Sequence, residues 1–332
     1  MSNFTSTSSF LLLEFSDMRE LQILSFFVFL AFYLTALIGN FLIITVVAVD
    51  SHLHIPMYYL LFDLAMLDIG SISVMVPKAM AMSLKNDRSI TYAGCVAQVF
   101  FYIFFGASGY SVLTIMAHDR YVAICHPLHY ERIMHKGACL QMVATGLIAS
   151  LIYAILHTCG TFANPFCSNI VNQFFCEIPQ LIKLSCSGLS LMETGVLILS
   201  FSIALGCLIF IIRSYVQVFV VVLRIPSSQG QKKALSTCVP HLTVVTMLKK
   251  ALSTCVPHLT VVIMLIASGV LVHARFTADS SNLDIVLSMV YTIIPPMSNP
   301  FIYSVRNKEV KTALRNLLHV AISYKNILKV VL

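Results

Sequence analysis

The chain has 332 residues, of which 58% are hydrophobic and only 11% are charged, and its mean hydropathy is +0.88. Because a soluble domain carries about 25% charged residues, this composition excludes an ordinary cytosolic enzyme, a disordered chain and a collagen-like chain. The long uncharged runs predict an all-α protein that crosses a membrane several times, since a transmembrane barrel shows only short alternating segments.

Seven membrane-spanning helices are predicted in chain order, because a helix needs about 20 mostly apolar residues to cross the hydrocarbon layer. The predicted spans are residues 22–49, 57–82, 93–124, 138–158, 194–222, 251–274 and 283–305. The second span is the weakest by hydropathy because it contains Asp63 and Asp68, but Pro56 is suited to a helix start. We therefore predict a single seven-helix bundle followed by a cytoplasmic tail over residues 306–332.

The distribution of charge predicts the orientation of this bundle. With the N-terminus outside and the C-terminus inside, most of the 21 Lys and Arg residues lie on the cytoplasmic side, as the positive-inside rule requires. The formal net charge of +7 is explained in this way, so no nucleic-acid partner is needed. Residues 1–18 are polar without a basic start, which predicts no signal peptide. The sequon that begins at Asn3 then lies outside and predicts glycosylation.

Four of the ten cysteines lie on the predicted outer side, where the compartment is oxidising. One is at the start of the third span and the others are in the long second outer loop; they are Cys95, Cys167, Cys176 and Cys186. Four thiols suggest two disulfides, and sequence alone leaves three connectivities open. The alternative is that these thiols are free and buried. The cysteine spacing indicates no metal site.

Asp68 lies deep in the second span. It is 11 residues past Met57, which places it roughly 16 Å into the membrane at 1.5 Å per residue. A charge at this depth costs at least about 2.5–3.5 kcal/mol, so Asp68 is expected to face the bundle and to have partners. Asn40 in span 1 and Asn299 in span 7 reach similar depth. These three residues form either a structural polar cluster that fixes helix packing or a cavity that binds an ion or proton.

Asp119 and Arg120 end the third span at the predicted inner surface. The two residues form either a solvated ion pair, which contributes almost nothing, or a switch. In the switch, Arg120 turns beneath the bundle and exchanges partners with Tyr215 and Tyr303, at the inner ends of spans 5 and 7.

Five motifs now occur in order along the chain. They are LHIPMYY at 53–59, MAHDRYVAIC at 116–125, SY at 214–215, KALSTC at 250–255 followed by HL at 258–259, and PMSNPFIYS at 296–304. Together they closely resemble the signatures of vertebrate odorant receptors, which are rhodopsin-like G-protein-coupled receptors. The resemblance covers essentially the whole chain.

The resemblance implies an odorant-binding site without a cofactor. The implied site is a largely apolar pocket in the outer half of the bundle, formed by Tyr102, Ile103, Gly106 and Ala107 on span 3, Leu199, Ser200 and Ile203 on span 5, Gly269 and His273 on span 6, and Ser288 and Thr292 on span 7. The resemblance also favours the disulfide pairs Cys95–Cys176 and Cys167–Cys186.

Signalling is implied by the same resemblance. The implied activation switch comprises Asp119, Arg120, Tyr215, His258 and Tyr303. The expected partner is a stimulatory olfactory G protein that raises cyclic AMP, and the expected location is the plasma membrane of an olfactory sensory neuron. The tail after span 7 is expected to form a short amphipathic helix against membrane lipid.

Three positions depart from the family pattern. His118 stands where the family usually has Tyr before the Asp-Arg pair, and Ile266 replaces an aromatic residue deep in span 6. Gly109 occupies the place of an acidic residue that usually faces the midplane aspartate. The loss of that carboxylate puts a cation or proton site of the family type in doubt.

A duplicated segment distinguishes this sequence further. Residues 232–248 repeat as 249–265, and only Thr246 against Ile263 differs. The second copy continues into a full span, whereas the first is short and contains Pro240, so we place residues 232–248 in an enlarged third inner loop. We expect this insert to impair coupling or surface delivery, because it lies where a G protein docks.

The predicted function is that of an odorant-activated receptor without enzymatic activity, since no nucleophile–base set, metal cluster or phosphate loop is found. Two alternatives stay open. One is a receptor that the duplication disables, and the other is a transporter or channel, which would favour symmetric halves or charge-lined paths.

Overall fold

The computed structural model describes residues 9–13, 18–85, 87–186, 191–223, 255–256, 258–264, 281–307 and 309–317. Its long helices are α1 (Arg19–Val49), α2 (Pro56–Lys85), α3 (Tyr92–Cys125), α5 (Lys136–Phe162), α7 (Leu191–Leu223) and α9 (Ser281–Arg306), and the short helices are α4 (Tyr130–Ile133) and α6 (Ile178–Leu184). Residues 258–264, called α8, and residues 309–317, called α10, are also helical. Two 3-10 turns, Ser51–Leu53 and Pro127–His129, follow α1 and α3.

Five helices in the described part of the chain are long and apolar enough to cross a membrane. They are Arg19–Val49, Pro56–Lys85, Tyr92–Cys125, Lys136–Phe162 and Thr194–Val221. The seventh predicted span lies within α9, and residues 255–256 and 258–264 are the described part of the sixth. The insert at 232–248, the sequon at Asn3 and the tail beyond 317 lie outside the described residues.

Helix α3 occupies the centre of the bundle and packs against α2, α5 and α7, while α1 packs against α2 and α9. Local sequence determines where the helices begin. Thr91 caps α3, because its hydroxyl accepts a hydrogen bond from the backbone N–H of Gly94 at 3.1 Å. His135 caps α5 in the same manner, with Nδ1 accepting from the N–H of Ala138 at 3.1 Å.

A small three-stranded sheet covers one end of the helices. Strand β1 (Ser9–Leu12) lies between β2 (Ser89–Thr91), to which it is antiparallel, and β3 (Ile170–Val171), to which it is parallel. Alternate residues of β1 face the helices, so Phe10 and Leu12 are buried while Leu11 is exposed. The sequence pattern predicts no strand here, because the partners of β1 are distant in the chain.

The two disulfides hold the same end of the molecule together. Cys95, near the start of α3, is bonded to Cys176, and Cys167 is bonded to Cys186, with Cα atoms 5.6 and 5.1 Å apart. Around them, one apolar cluster joins the sheet to the helices; it includes Phe10, Leu12, Ile90, Val171, Phe174, Phe175 and Leu181. We call this cluster and the sheet the outer cap.

Candidate functional site

A cavity of about 100 Å³ lies among α2, α3, α8 and α9. Its lining includes Tyr102, Gly106, Gly109, Asp68, Thr292 and Asn299. Three of the residues expected from the family resemblance, Tyr102, Gly106 and Thr292, therefore face one cavity. On the same volume measure a single water needs about 10–15 Å³, so the cavity has room for a small organic molecule.

Two glycines of α3 help to keep this cavity open. Among the described residues, a Cβ atom built on Gly106 would meet no atom within 4 Å, and one built on Gly109 would meet only the Cδ1 atom of Leu64 at 3.9 Å. Because both glycines line the cavity, larger side chains at these positions would reduce its volume. The absence of a carboxylate at Gly109 therefore leaves open volume in the middle of the bundle.

The remaining expected pocket residues are placed differently. Ile103 packs against the outer cap, and Ala107 is half-buried on α3. Leu199 and Ile203 are about half exposed on α7, at 49% and 51%. Ser288 lies on α9, whereas Gly269 and His273 lie outside the described residues.

Ser200 takes part in a polar contact that the sequence pattern does not indicate. Its hydroxyl donates to the carbonyl oxygen of Val196 at 2.6 Å and accepts a hydrogen bond from Nε2 of His157 at 2.6 Å. The ring of His157 also stands edge-on to Tyr153, with ring centroids 4.5 Å apart. The contact links α5 to α7, and no sequence spacing signals it because the two residues belong to different spans.

The midplane polar residues divide into two separate contacts. The side-chain amide of Asn299 donates to Oδ2 of Asp68 at 2.8 Å. Asn40, which was expected beside Asp68, instead donates from Nδ2 to the carbonyl oxygens of Ala36 and Pro296, each at 2.9 Å. The contact with Pro296 has a clear cause: Pro300, four residues later, has no N–H to donate to that carbonyl.

At the opposite end of α3 from the outer cap, Asp119 is fully buried and accepts several hydrogen bonds. Nε of Arg120 donates to Oδ2 at 2.9 Å, and Nη2 of Arg120 forms an ion pair with the same oxygen. The hydroxyl of Tyr130, on α4, donates to Oδ1 at 2.7 Å. Burial, followed by the negative charge of Asp119, raises the pKa of Tyr130. The expected pair Asp119–Arg120 is thus completed by a loop tyrosine that no sequence motif indicated.

His258 connects three helices. Its Nε2 lies 2.9 Å from the carbonyl oxygen of Leu113, and its Nδ1 is hydrogen-bonded to the hydroxyl of Tyr215. Because a carbonyl only accepts, Nε2 carries the proton, and in the neutral ring Nδ1 accepts from the tyrosine. Nearby, the buried hydroxyl of Tyr303 has no hydrogen-bond partner in the described part of the chain, and Tyr303 lines, with Arg120 and His258, a cavity of about 10 Å³. That volume suits one water molecule.

Helix α10 is tied to the start of α2. The hydroxyl of Tyr58 donates to Glu309, and the side-chain oxygen of Asn307 accepts from the backbone N–H of Glu309 at 3.0 Å and of Val310 at 3.3 Å. Asn307 therefore caps α10. The helix expected after span 7 is present as residues 309–317.

The helical bundle with its central α3 has the fold of rhodopsin. A crystal structure of squid rhodopsin matches it with a TM-score of 0.72 and 15% sequence identity, covering 92% of this chain and 87% of that chain. The bundle is a seven-helix receptor fold, and such a match at low identity shows the fold alone.

The family follows from sequence comparison. The family model described as olfactory receptor matches residues 29–248 and 246–321. The human protein olfactory receptor 14C36 is 44% identical over 96% of this chain and 97% of its own length, and human olfactory receptor 14J1 is 45% identical over 96% and 94%. The chain belongs to the olfactory receptor family. It is accordingly a multi-pass plasma-membrane G-protein-coupled receptor and not an enzyme.

The family match also locates the duplication. It is divided into two parts that overlap only at residues 246–248, where the copy at 232–248 meets the copy at 249–265. The first part of the match therefore ends with the first copy, and the second part contains the second copy.

Proposed function

We propose that this receptor binds a small volatile odorant in the cavity of the bundle and promotes nucleotide exchange on a stimulatory olfactory G protein, which raises cyclic AMP. The receptor itself breaks no covalent bond. Its contribution is a difference in affinity between two arrangements of its helices, because a ligand shifts an equilibrium only by that difference.

The observation that best supports the proposal is the position of Leu113. This residue lines the cavity, and its carbonyl oxygen accepts the hydrogen bond from His258, which in turn is bonded to Tyr215. Val261, one turn beyond His258 on α8, lines the same cavity. A ligand that packs on Leu113 and Val261 therefore acts on the two helices that His258 joins.

The orientation belongs to the same proposal. Disulfides form in an oxidising compartment, and the Cys95–Cys176 and Cys167–Cys186 bonds both lie at the end that carries β1. This end is therefore outside, and Asp119 and Arg120 are cytoplasmic, where a G protein binds. Epitope tags at both chain ends test the orientation: accessibility of both tags from the same side of intact cells contradicts it.

The function is tested by measuring cyclic AMP in cells that express the full-length receptor, over a broad panel of volatile odorants. At least one odorant is expected to give a dose-dependent rise. His258→Leu, which removes both imidazole hydrogen bonds, is expected to reduce that response strongly at equal surface expression. His52→Leu, at an exposed histidine, is the matched control and is expected to respond like the parent. Absence of odorant-dependent nucleotide exchange with the purified receptor and G protein contradicts the proposal.

A second candidate is a poorly coupled receptor, and the duplication favours it. This chain carries the segment twice, and the family match is divided where the two copies meet; the copy at 232–248 falls in the predicted third inner loop. The transporter or channel alternative is no longer needed, because the chain belongs to the olfactory receptor family, whose members are G-protein-coupled receptors.

A further inference from the structure

The floor of the cavity is lined by oxygen atoms that accept hydrogen bonds. Oδ2 of Asp68 receives one bond, from Asn299. Oδ1 of Asn299 and the hydroxyl oxygen of Thr292 are buried and have no hydrogen-bond partner among the described residues, although both residues line the cavity. Buried polar atoms are nearly always satisfied in folded proteins, so this part of the cavity is complementary to a group that donates hydrogen bonds.

The floor also contains a carboxyl group without a positively charged partner among the described residues. Among the described residues, Asp68 accepts one amide hydrogen bond and forms no ion pair. An ionised carboxylate in a low-dielectric interior is stabilised by a nearby positive charge. A ligand that brings both a positive charge and several N–H donors would satisfy Asp68 and the two unpartnered oxygens together.

The floor belongs to the same cavity as the expected odorant contacts. The lining of this single cavity extends along α3 from Tyr102 to Leu113, which is about 16 Å at 1.5 Å per residue. No side chain interrupts it at Gly106 or Gly109. Gly109 lines the same cavity as Asp68 and has only a hydrogen atom as its side chain, so it leaves the space in this part of the cavity open to a ligand.

We propose that Asp68, Asn299 and Thr292 form a subsite for the ammonium group of a small primary amine. A primary ammonium has three N–H donors, and its short alkyl chain extends from the floor toward Tyr102. The inference rests on the proposed function, because the amine is a ligand of the cavity assigned there to odorants, and it adds the chemical class of ligand.

The test measures thermal unfolding of the purified full-length receptor in detergent, because a ligand that binds only the folded state raises its stability. The probes are n-butylammonium chloride, 1-butanol and sodium chloride at constant ionic strength, with choline chloride as the balancing salt. Half-maximal protection by n-butylammonium is expected at a concentration at least tenfold lower than for 1-butanol. Thr292→Val, which keeps the side-chain shape, is expected to reduce this preference at least threefold, and Asp68→Asn to remove it.

Filling the cavity provides an independent variant. Gly109→Leu is expected to abolish protection by n-butylammonium. Gly206→Leu is the matched control, since a Cβ atom on this exposed glycine of α7 meets nothing within 4 Å, and it is expected to bind like the parent. If Asp68→Asn does not fold, Thr292→Val and Gly109→Leu still decide the outcome.

Three results overturn the subsite. They are equal protection by n-butylammonium and 1-butanol, a preference that Thr292→Val and Gly109→Leu leave unchanged, and protection by sodium with which the amine does not compete. The readout contains no G protein. If the amine protects the receptor but none of the tested odorants raises cyclic AMP, the proposed function is contradicted and the subsite is not.

Discussion

At the scale of single residues, the environment of Asp119 decides between two interpretations of the Asp-Arg pair. A solvated pair at a helix end contributes almost nothing. Asp119 is instead 0% exposed and is bonded both to Arg120, its neighbour in sequence, and to Tyr130, from the loop that follows α3. A buried carboxylate that loses one of these donors is left partly unsatisfied, so Tyr130 is a positioning residue for the proposed switch.

Tyr130→Phe is expected to lower the free energy of unfolding of the purified receptor by about 1.5–3 kcal/mol, the usual range for a hydrogen bond to a charged group. The pKa of Tyr130 is raised in the folded state, above its ordinary value of about 10. The contribution of Tyr130 is therefore complete below about pH 10 and declines as the pH rises toward the folded-state value.

The measurement is thermal unfolding of both proteins between neutral pH and about pH 11. The difference between them is expected to be constant up to about pH 9 and to shrink above about pH 10. Tyr121→Phe is the matched control, because the hydroxyl of Tyr121 forms an exposed hydrogen bond with His126, and it is expected to change stability little. A loss of equal size in both variants would show that the contact with Asp119 is unimportant.

At the scale of elements, the four-residue strand β1 connects several separate parts of the outer cap. Its N–H groups at Leu11 and Leu12 donate to the carbonyl oxygens of Asn169 at 2.7 Å and Arg88 at 2.9 Å, which belong to two different loops. Phe10 packs against the ring of Phe166 at 5.3 Å. A short strand of the N-terminal segment thus holds the outer cap over the helices that form the cavity.

Phe10→Ala is expected to loosen β1, because removing a buried phenylalanine costs about 3–5 kcal/mol. Hydrogen exchange at the amides of Leu11 and Leu12 is the direct measurement of this local opening. Exchange is expected to accelerate by roughly 100-fold or more, since about 1.4 kcal/mol corresponds to tenfold. Leu11→Ala, at the neighbouring exposed position, is the control and is expected to have little effect. Equal acceleration in both variants would refute the packing role of Phe10.

At the scale of the whole molecule, residues 232–248 and 249–265 are near-identical copies, and the family match is divided where they meet. Both copies cannot occupy the same place in the bundle. The copy at 249–265 contains Cys255, His258 and Val261, which are packed in the described structure. That the copy at 232–248 is the additional one stays a prediction, because these residues lie outside the described part of the chain.

Deleting residues 232–248 is expected to increase odorant-evoked cyclic AMP several-fold, because an apolar insert is removed from the predicted G-protein surface. If the insert were helical and extended span 6, it would add about 25 Å at 1.5 Å per residue. Deleting 249–265 instead is the internal control, since the product differs only by Thr246 in place of Ile263. The two deletions are expected to behave alike, and signalling that neither deletion changes would count against the insert as the cause.

The class of fold is predictable from the sequence because crossing a bilayer imposes a length and an apolar composition on each helix separately. These constraints are local, so α1, α3, α5 and α7 follow from long uncharged runs, whereas α2 is predicted from weaker hydropathy and the position of Pro56. The polar residues within such runs are also visible, because Asp68 and Asn299 are rare in their surroundings. Their similar depth predicts that they lie at one level of the bundle, but it does not decide which of them pair.

Other contacts depend on where distant segments meet, which local sequence does not encode. Tyr130 begins the short helix α4 in a polar connection between α3 and α5, where its residue type does not stand out in the sequence. Only the packing of this connection against the end of α3 brings its hydroxyl to Asp119. Asn40 matches Asp68 in depth but binds Pro296, because the carbonyl left free by Pro300 is within reach. The sequence by itself therefore determined that this chain spans a membrane as a helical bundle. Only the tertiary structure decided which polar groups pair and which oxygens remain open in the cavity, because hydrogen bonds depend on separations of a few ångströms between residues that lie far apart in the chain.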